Sequence, residues 1–191
     1  MDVDAELMSK VARGDRAAFA QLFDRHHGAV VRFAYRFVGS QARAEEVAQD
    51  VFVKVFRNAK SYVPGAKFQT FLFRVATNHC LNEVRRSENR NPSETLEDET
   101  QGAPVQAWGP DEMLEARELE AAVSVALSKM SDRERAAFVM CRFEGMKYRE
   151  IGEALSASEP AVKSLIHRAT LVMAQTVEAL KSGMRPGGSA A

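Results

Sequence analysis

Apolar side chains in this chain of 191 residues recur every three or four positions and hardly ever alternate. That periodicity restricts the fold more than any other feature, because a period near 3.6 predicts amphipathic helices and a period of 2 predicts strands. The plainest stripe is Val47, Val51 and Val55 beside Ala48, Phe52 and Phe56, with Glu46, Gln49, Asp50, Lys54 and Arg57 on the other side. Asp50 and Lys54 stand four apart in the order that favours an ion pair on a helix surface. An earlier stripe, Phe19, Leu22, Phe23, Val30, Phe33 and Phe37, predicts a helix with an irregularity at Gly28 and a stop at Gly39-Ser40. A third helix is expected from Phe68 to Arg86, burying Leu72, Val75, Ala76 and Cys80. Stretches rich in strand formers are short and read better as helix. The expected fold is all-α.

Residues 89–112 interrupt the pattern with Pro92, Pro104, Pro110, two glycines and the acids Glu94, Glu97, Asp98 and Glu99. That is linker chemistry. The chain therefore divides into two small helical domains, 1–90 and 113–181, joined by a flexible acidic linker, 91–112, and followed by a disordered tail, 182–191. Trp108, inside the linker, reads as a local anchor against one domain, with a partner contact as the alternative. The second domain opens with a helix from Leu114 to Met130. Ser131 and Glu134 then form a capping box ahead of AAFVMCRF, which Glu144-Gly145 ends.

Lysine plus arginine and aspartate plus glutamate are 26 each, so the net charge is zero, but it is unevenly spread. Residues 1–90 carry 15 basic and 10 acidic groups, 91–120 carry 1 and 9, and 121–191 carry 10 and 7. Two basic blocks flanking an acidic strip point to a polyanionic partner. No apolar run approaches the ~20 residues of a membrane span, so direct membrane insertion is not expected. The acidic start, MDVDAELMSK, has no signal-peptide core, and Cys80 and Cys141 are too few for a disulfide framework. A cytoplasmic location with reduced thiols is expected. His26-His27 lack spaced carboxylates or thiols, and His79-Cys80 are helix neighbours that point apart. No metal, cofactor or enzymatic activity is expected, and these residues read as structural.

The segment YREIGEALSASEPAVKSLIHRAT, 148–170, has the spacing of a helix-turn-helix. Two helices that cross closely need a small residue at the crossing, and Gly152 supplies it. Ile151 and Leu155 make the inner face of the first helix. Val162 begins the inner face of the second, followed by Leu165 or Ile166. Ser158 is a good N-cap and Pro160 is tolerated in a first turn. Lys163, Ser164, His167 and Arg168 then point outward, where a major-groove reader needs donors. Leu165 stays open between a groove-facing residue and a core residue. Ser156 stands where the turn often has glycine. A plain αα-hairpin is the alternative reading.

In the first domain Tyr62, Phe68, Phe71 and Phe73 interleave with Lys67, Arg74, Asn78, Asn82, Arg85 and Arg86. Aromatic faces stack on unpaired bases, cations track phosphates, and amides bond base edges, so this helix reads as a single-strand binder. The alternative is a core helix with a solvated basic end, the better reading for Phe73 and an even one for Phe68 and Phe71.

Taken in order, RGDRAAFAQLFDRH, AEEVAQDVFVKVFRN, KFQTFLFRVATNHCLNEVRR and LSKMSDRERAAFVMCRFEGMKYREIGEALSASEPAVKSLIHRA resemble the bacterial sigma factors of the extracytoplasmic-function class, over about residues 9–180. The resemblance implies a subunit of RNA polymerase that recognises and melts promoters. It assigns Glu46, Gln49, Asp50 and Lys54 to docking on the clamp helices of core polymerase. It assigns Phe68, Phe71, Arg74, Asn78, Asn82, Arg85 and Arg86 to the −10 element, with Asn78 and the SYVPGAK loop at a flipped base. Lys163, Ser164, Leu165, His167 and Arg168 fall on the −35 readers. The acidic linker matches a segment that threads toward the polymerase active-site and RNA-exit channels. An anti-sigma factor is an expected partner. Phe71 replaces a frequent tryptophan, and Leu165 and Thr170 stand where further arginines are usual. The other function compatible with these residues is a helix-turn-helix regulator that binds duplex DNA without polymerase.

Overall fold

The computed structural model describes residues 2–63, 67–88 and 110–183. Eight α-helices and a 3-10 turn, Ala59–Ser61, account for the regular structure among them, and no strand occurs there. The linker, Trp108, the centre of the SYVPGAK loop and the chain's last residues lie outside the described part.

The first domain is four helices, α1 (Val3–Val11), α2 (Arg16–Val38), α3 (Gln41–Arg57) and α4 (Phe68–Glu88). Helix α1 has too few turns for its periodicity to stand out in the sequence, yet Met8 is fully buried and Leu7 and Val11 nearly so. Asp4 ties it to α2, forming an ion pair with Arg25 Nε through Oδ1 and a hydrogen bond with His26 Nε2 through Oδ2, each at 2.8 Å. Helix α2 runs unbroken through Gly28, so no irregularity forms there. It stops where expected, with Gly39 left-handed at φ 72° and Ser40 capping α3. Val47, Val51, Val55 and Phe52 fill the core, while Phe56 stays 39% exposed with its ring edge-on to Phe19. Phe33 and Phe73 pack edge to face at 5.1 Å in the centre. An aromatic pair of this kind adds about 1 kcal/mol to the area it buries.

The second domain is α5 (Pro110–Ser128), α6 (Asp132–Arg142), α7 (Tyr148–Leu155) and α8 (Glu159–Gly183). The capping box is present, with the Ser131 N–H donating to Glu134 Oε2 at 3.1 Å. Gly145 turns the chain into α7 with φ 64°. Helix α8 continues two residues beyond the expected start of the tail.

The two domains touch. Helix α4 lies against α7, and Lys67 Nζ pairs with Glu150 Oε1 at 2.5 Å. The Gln69 amide donates to the Glu144 carbonyl at 3.2 Å, and the Arg36 guanidinium sits 3.7 Å over the Phe143 ring. Burial lowers the Arg36 pKa and raises that of Glu144, although Arg32 and Arg36 oppose the latter. A cavity of about 260 Å³ lies beside this contact, between α2 and the α5–α6 corner, with Arg32, Arg36, Glu120 and Arg135 among its walls.

Candidate nucleic-acid interface

The helix-turn-helix forms at the predicted residues, and close backbone approach is what holds it. A Cβ built on Gly152 would lie 2.6 Å from the Ala157 carbonyl oxygen, so only glycine fits there. The Ala157 N–H donates back to the Gly152 carbonyl at 2.9 Å and pins the same crossing. Ser156 takes the left-handed turn conformation at φ 51°, where glycine would be relaxed. Ser158 caps α8, its Oγ accepting from the Ala161 N–H at 3.4 Å.

Val162, Leu165, Ile166 and Ala169 are buried, and Lys163, Ser164, His167 and Arg168 are exposed. The outward face of α8 is therefore a cluster of donors one turn deep. Leu165, 8% exposed, points into the domain and not outward with that cluster, as the core reading expects. The physical reason is register. Val162 and Ile166 must face α6 and α7, and a helix that buries both turns position 165 inward as well. Arg168 is already engaged, donating to Glu134 Oε1 at 2.6 Å and to Ser164 Oγ at 2.8 Å. The Arg168 hydrogen bond holds the Glu134 carboxyl below the usual carboxylate range, with the Ser131 capping contacts acting in the same direction. This bond also ties the outward face of α8 to the first turn of α6.

Helix α4 carries a second strip. Arg74, Asn78, Asn82, Arg85 and Arg86 are all exposed. Their spacing of three, four and seven places them along one side of the helix over roughly 18 Å. Three aromatics that the sequence left open between a stacking surface and a core are buried beneath this strip. Phe68 is fully buried, with its ring 5.1 Å from His26, and Phe71 is 6% exposed, edge-on to Tyr62 at 5.5 Å. Tyr62 itself is 6% exposed. None of these rings presents a face for stacking a base. The core between the helices claims these three rings. Phe71 supports the strip from below instead, with the Arg74 guanidinium 5.5 Å over its ring.

On α3, Glu46, Gln49 and Asp50 are exposed and Lys54 is half-buried. Asp50 and Lys54 do not pair with each other. Both turn to His79 of α4, which is only 4% exposed. Lys54 Nζ lies 2.5 Å from His79 Nδ1, and Asp50 Oδ2 lies 3.3 Å from His79 Nε2. Periodicity offered one signal for this residue, a polar side chain on the inward side of α4, but its partners lie 25 and 29 positions away. The adjacent Cys80 is buried, and burial pushes its thiol pKa up to about 12, so it is no nucleophile. No cluster of His, Cys, Asp and Glu suited to a metal occurs among the described residues.

Two family models match the chain, Sigma-70 region 2 over residues 22–90 and Sigma-70 region 4 over residues 120–171. The ECF RNA polymerase sigma factor SigM of Mycobacterium tuberculosis is 31% identical over 183 residues, covering 95% of this chain and 88% of that protein. The chain belongs to the ECF class of the sigma-70 family. ECF sigma factor SigE of Mycolicibacterium smegmatis is 37% identical over 160 residues, 82% of this chain, and the chain spans 62% of SigE's length. Among solved structures, CnrH in complex with the cytosolic domain of CnrY covers 93% of this chain and is itself covered to 99%, at 25% identity and a TM-score of 0.71. The fold also matches RpoE of Bartonella quintana in complex with the anti-sigma factor NepR, at 19% identity and TM-score 0.67, over 84% of this chain and 96% of RpoE. In this sigma-family chain the α4 strip lies within region 2 and the α8 strip within region 4.

Proposed function

We propose that this chain is a non-catalytic, dissociable subunit of RNA polymerase that directs the core enzyme to a set of promoters and helps open them. One observation carries the reading. A single chain holds a region 2 and a region 4, and each presents an exposed strip of cations and hydrogen-bonding side chains. On α4, Arg74, Asn82, Arg85 and Arg86 track the backbone of the unpaired −10 strand, and Asn78, with both a donor and an acceptor, bonds a base edge. On α8, Lys163, Ser164, His167 and Arg168 enter the −35 major groove. The polar face of α3, Glu46, Gln49, Asp50 and Lys54, docks on the clamp helices of core polymerase.

The zero net charge makes the free chain a weak non-specific DNA binder. Core supplies affinity by fixing both domains on one template, so that the second contact becomes intramolecular. The chain works in the cytoplasm, and no described helix is long and apolar enough to cross a membrane. An anti-sigma factor is the expected antagonist, by analogy with NepR on the Bartonella protein. A regulator that acts on duplex DNA alone would need no polar α3 face and no cationic strip on α4.

A run-off assay tests the reading. Purified chain and core polymerase are incubated with genomic fragments, and start sites are mapped. New start sites that require both proteins, with shared −10 and −35 sequences upstream, are expected. Duplex binding by the chain alone with no core-dependent transcript would refute it.

A further inference from the structure

We propose that His79 is a positioning residue for polymerase docking, holding Asp50 and Lys54 of α3 in one fixed arrangement from beneath. The proposal rests on the reading of the α3 face as the docking surface. His79 is a buried polar side chain whose Nδ1 is partnered by Lys54 while its Nε2 makes no hydrogen bond, and a half-satisfied buried group of this kind calls for an explanation. Lys54 Nζ is 2.5 Å from Nδ1, and an ammonium can only donate. Nδ1 is therefore the acceptor, the imidazole is neutral, and its proton sits on Nε2. Asp50 Oδ2 lies 3.3 Å from that nitrogen without the geometry of a hydrogen bond, so the contact is electrostatic only. The ring thus bridges a cation and an anion that stand one helical turn apart and would otherwise pair with each other.

The groups facing the ring are Lys54 and Asp50 from α3 and Glu83 one turn further along α4; Cys80 beside it is neutral. Glu83 is itself paired with Arg86 at 2.7 Å and with Arg43 at 3.7 Å. Burial first, and Lys54 second, lower the His79 pKa, while Asp50 and Glu83 oppose them without reversing the direction. The ring is neutral through the neutral range. Protonating Nδ1 at acid pH would put a donor against the Lys54 ammonium and release it. Two surface side chains held in place before docking need less ordering when core binds.

Three variants of the full chain test this: His79→Phe, which keeps the volume but no nitrogen; His79→Asn, whose Oδ1 stands near Nδ1; and Asp50→Ala. Affinity for purified core polymerase is measured between about pH 5 and pH 8, and the imidazole nitrogens of the wild type are read by NMR. The expected tautomer is protonated at Nε2. His79→Phe should bind core about three- to tenfold more weakly, the scale of ordering one long side chain, Lys54, with a smaller share from Asp50. It should also lose the weakening that wild type shows toward acid pH, and His79→Asn should restore part of the affinity. If Asp50→Ala weakens binding but His79→Phe does not, His79 is merely structural and the proposal falls. If Asp50→Ala binds core like wild type, the docking surface lies elsewhere and the underlying reading fails. A proton on Nδ1 overturns the bridge whatever the binding results, including the case in which His79→Phe does not fold.

Discussion

Gly152→Ala is the substitution whose cost follows most directly from the coordinates. The added Cβ would meet the Ala157 carbonyl oxygen at 2.6 Å, well inside any tolerable contact, while Val162 Cγ2 at 3.8 Å is ordinary packing. The carbonyl cannot swing away cheaply, because the Ala157 N–H is bonded to Gly152 itself at 2.9 Å. Relief requires α7 and the turn to separate by more than half an ångström, an overpacking that costs about 1–3 kcal/mol. Alanine returns up to about 1 kcal/mol through helix propensity. The net loss should be about 1–2 kcal/mol. For a domain of this size each kcal/mol lowers Tm by about 4–8 °C, so the Tm of the second domain should fall by roughly 5–15 °C. Thermal melting followed by circular dichroism reads the change, and binding to −35 duplex should weaken as α8 is re-angled. A Tm within a degree of wild type, with duplex affinity intact, would refute the close-crossing argument.

Three further comparisons draw on the same structure. Leu165→Ala should cost about 2–4 kcal/mol as a core truncation and leave the salt dependence of −35 binding unchanged; Lys163→Ala should spare Tm and flatten the log–log salt slope by about 0.9. Finding these two effects exchanged would return Leu165 to the groove. Asn78→Ala should relax selection at one −10 position in transcription from a panel of single-base variants, whereas Phe71→Ala should lose about 3 kcal/mol of stability, chiefly through packing; a uniform drop for Asn78→Ala would make it structural. For Arg168→Gln the sign follows from the depressed Glu134 pKa. The stabilisation is present above the ordinary carboxylate pKa and is lost as pH falls through the folded value. Urea melts should show wild type more stable than Arg168→Gln above about pH 5, with the gap closing toward about pH 3. A gap that persists at low pH would mean the bond contributes through packing alone.

What the sequence determined by itself is local. Helix identity came from the 3.6 period, the stop at Gly39-Ser40 from glycine's left-handed freedom, and the α6 start from the Ser131–Glu134 reciprocity, all written within a few residues of one another. Gly152 with Val162 ten positions on defined the helix-turn-helix, because close crossing demands a residue without a side chain. The outward set on α8 followed from the same register, and so did the exposed strip of Arg74, Asn78, Asn82, Arg85 and Arg86 on α4. The tertiary structure decided every question in which two elements compete for one side chain. Phe68 and Phe71 satisfied the pattern for a stacking surface as well as that for a core, and burial between helices from distant parts of the chain took both. Leu165 was balanced in sequence and went inward because Val162 and Ile166 fixed the rotation of α8. Asp50 and Lys54 read as partners of each other until α4 brought His79 between them. Helix α1 gained its place from burial of Met8 and from Asp4 meeting Arg25 and His26, about twenty residues on. Periodicity reports which faces are apolar; it does not report which neighbour covers them, and burial, pairing and pKa are properties of that neighbour.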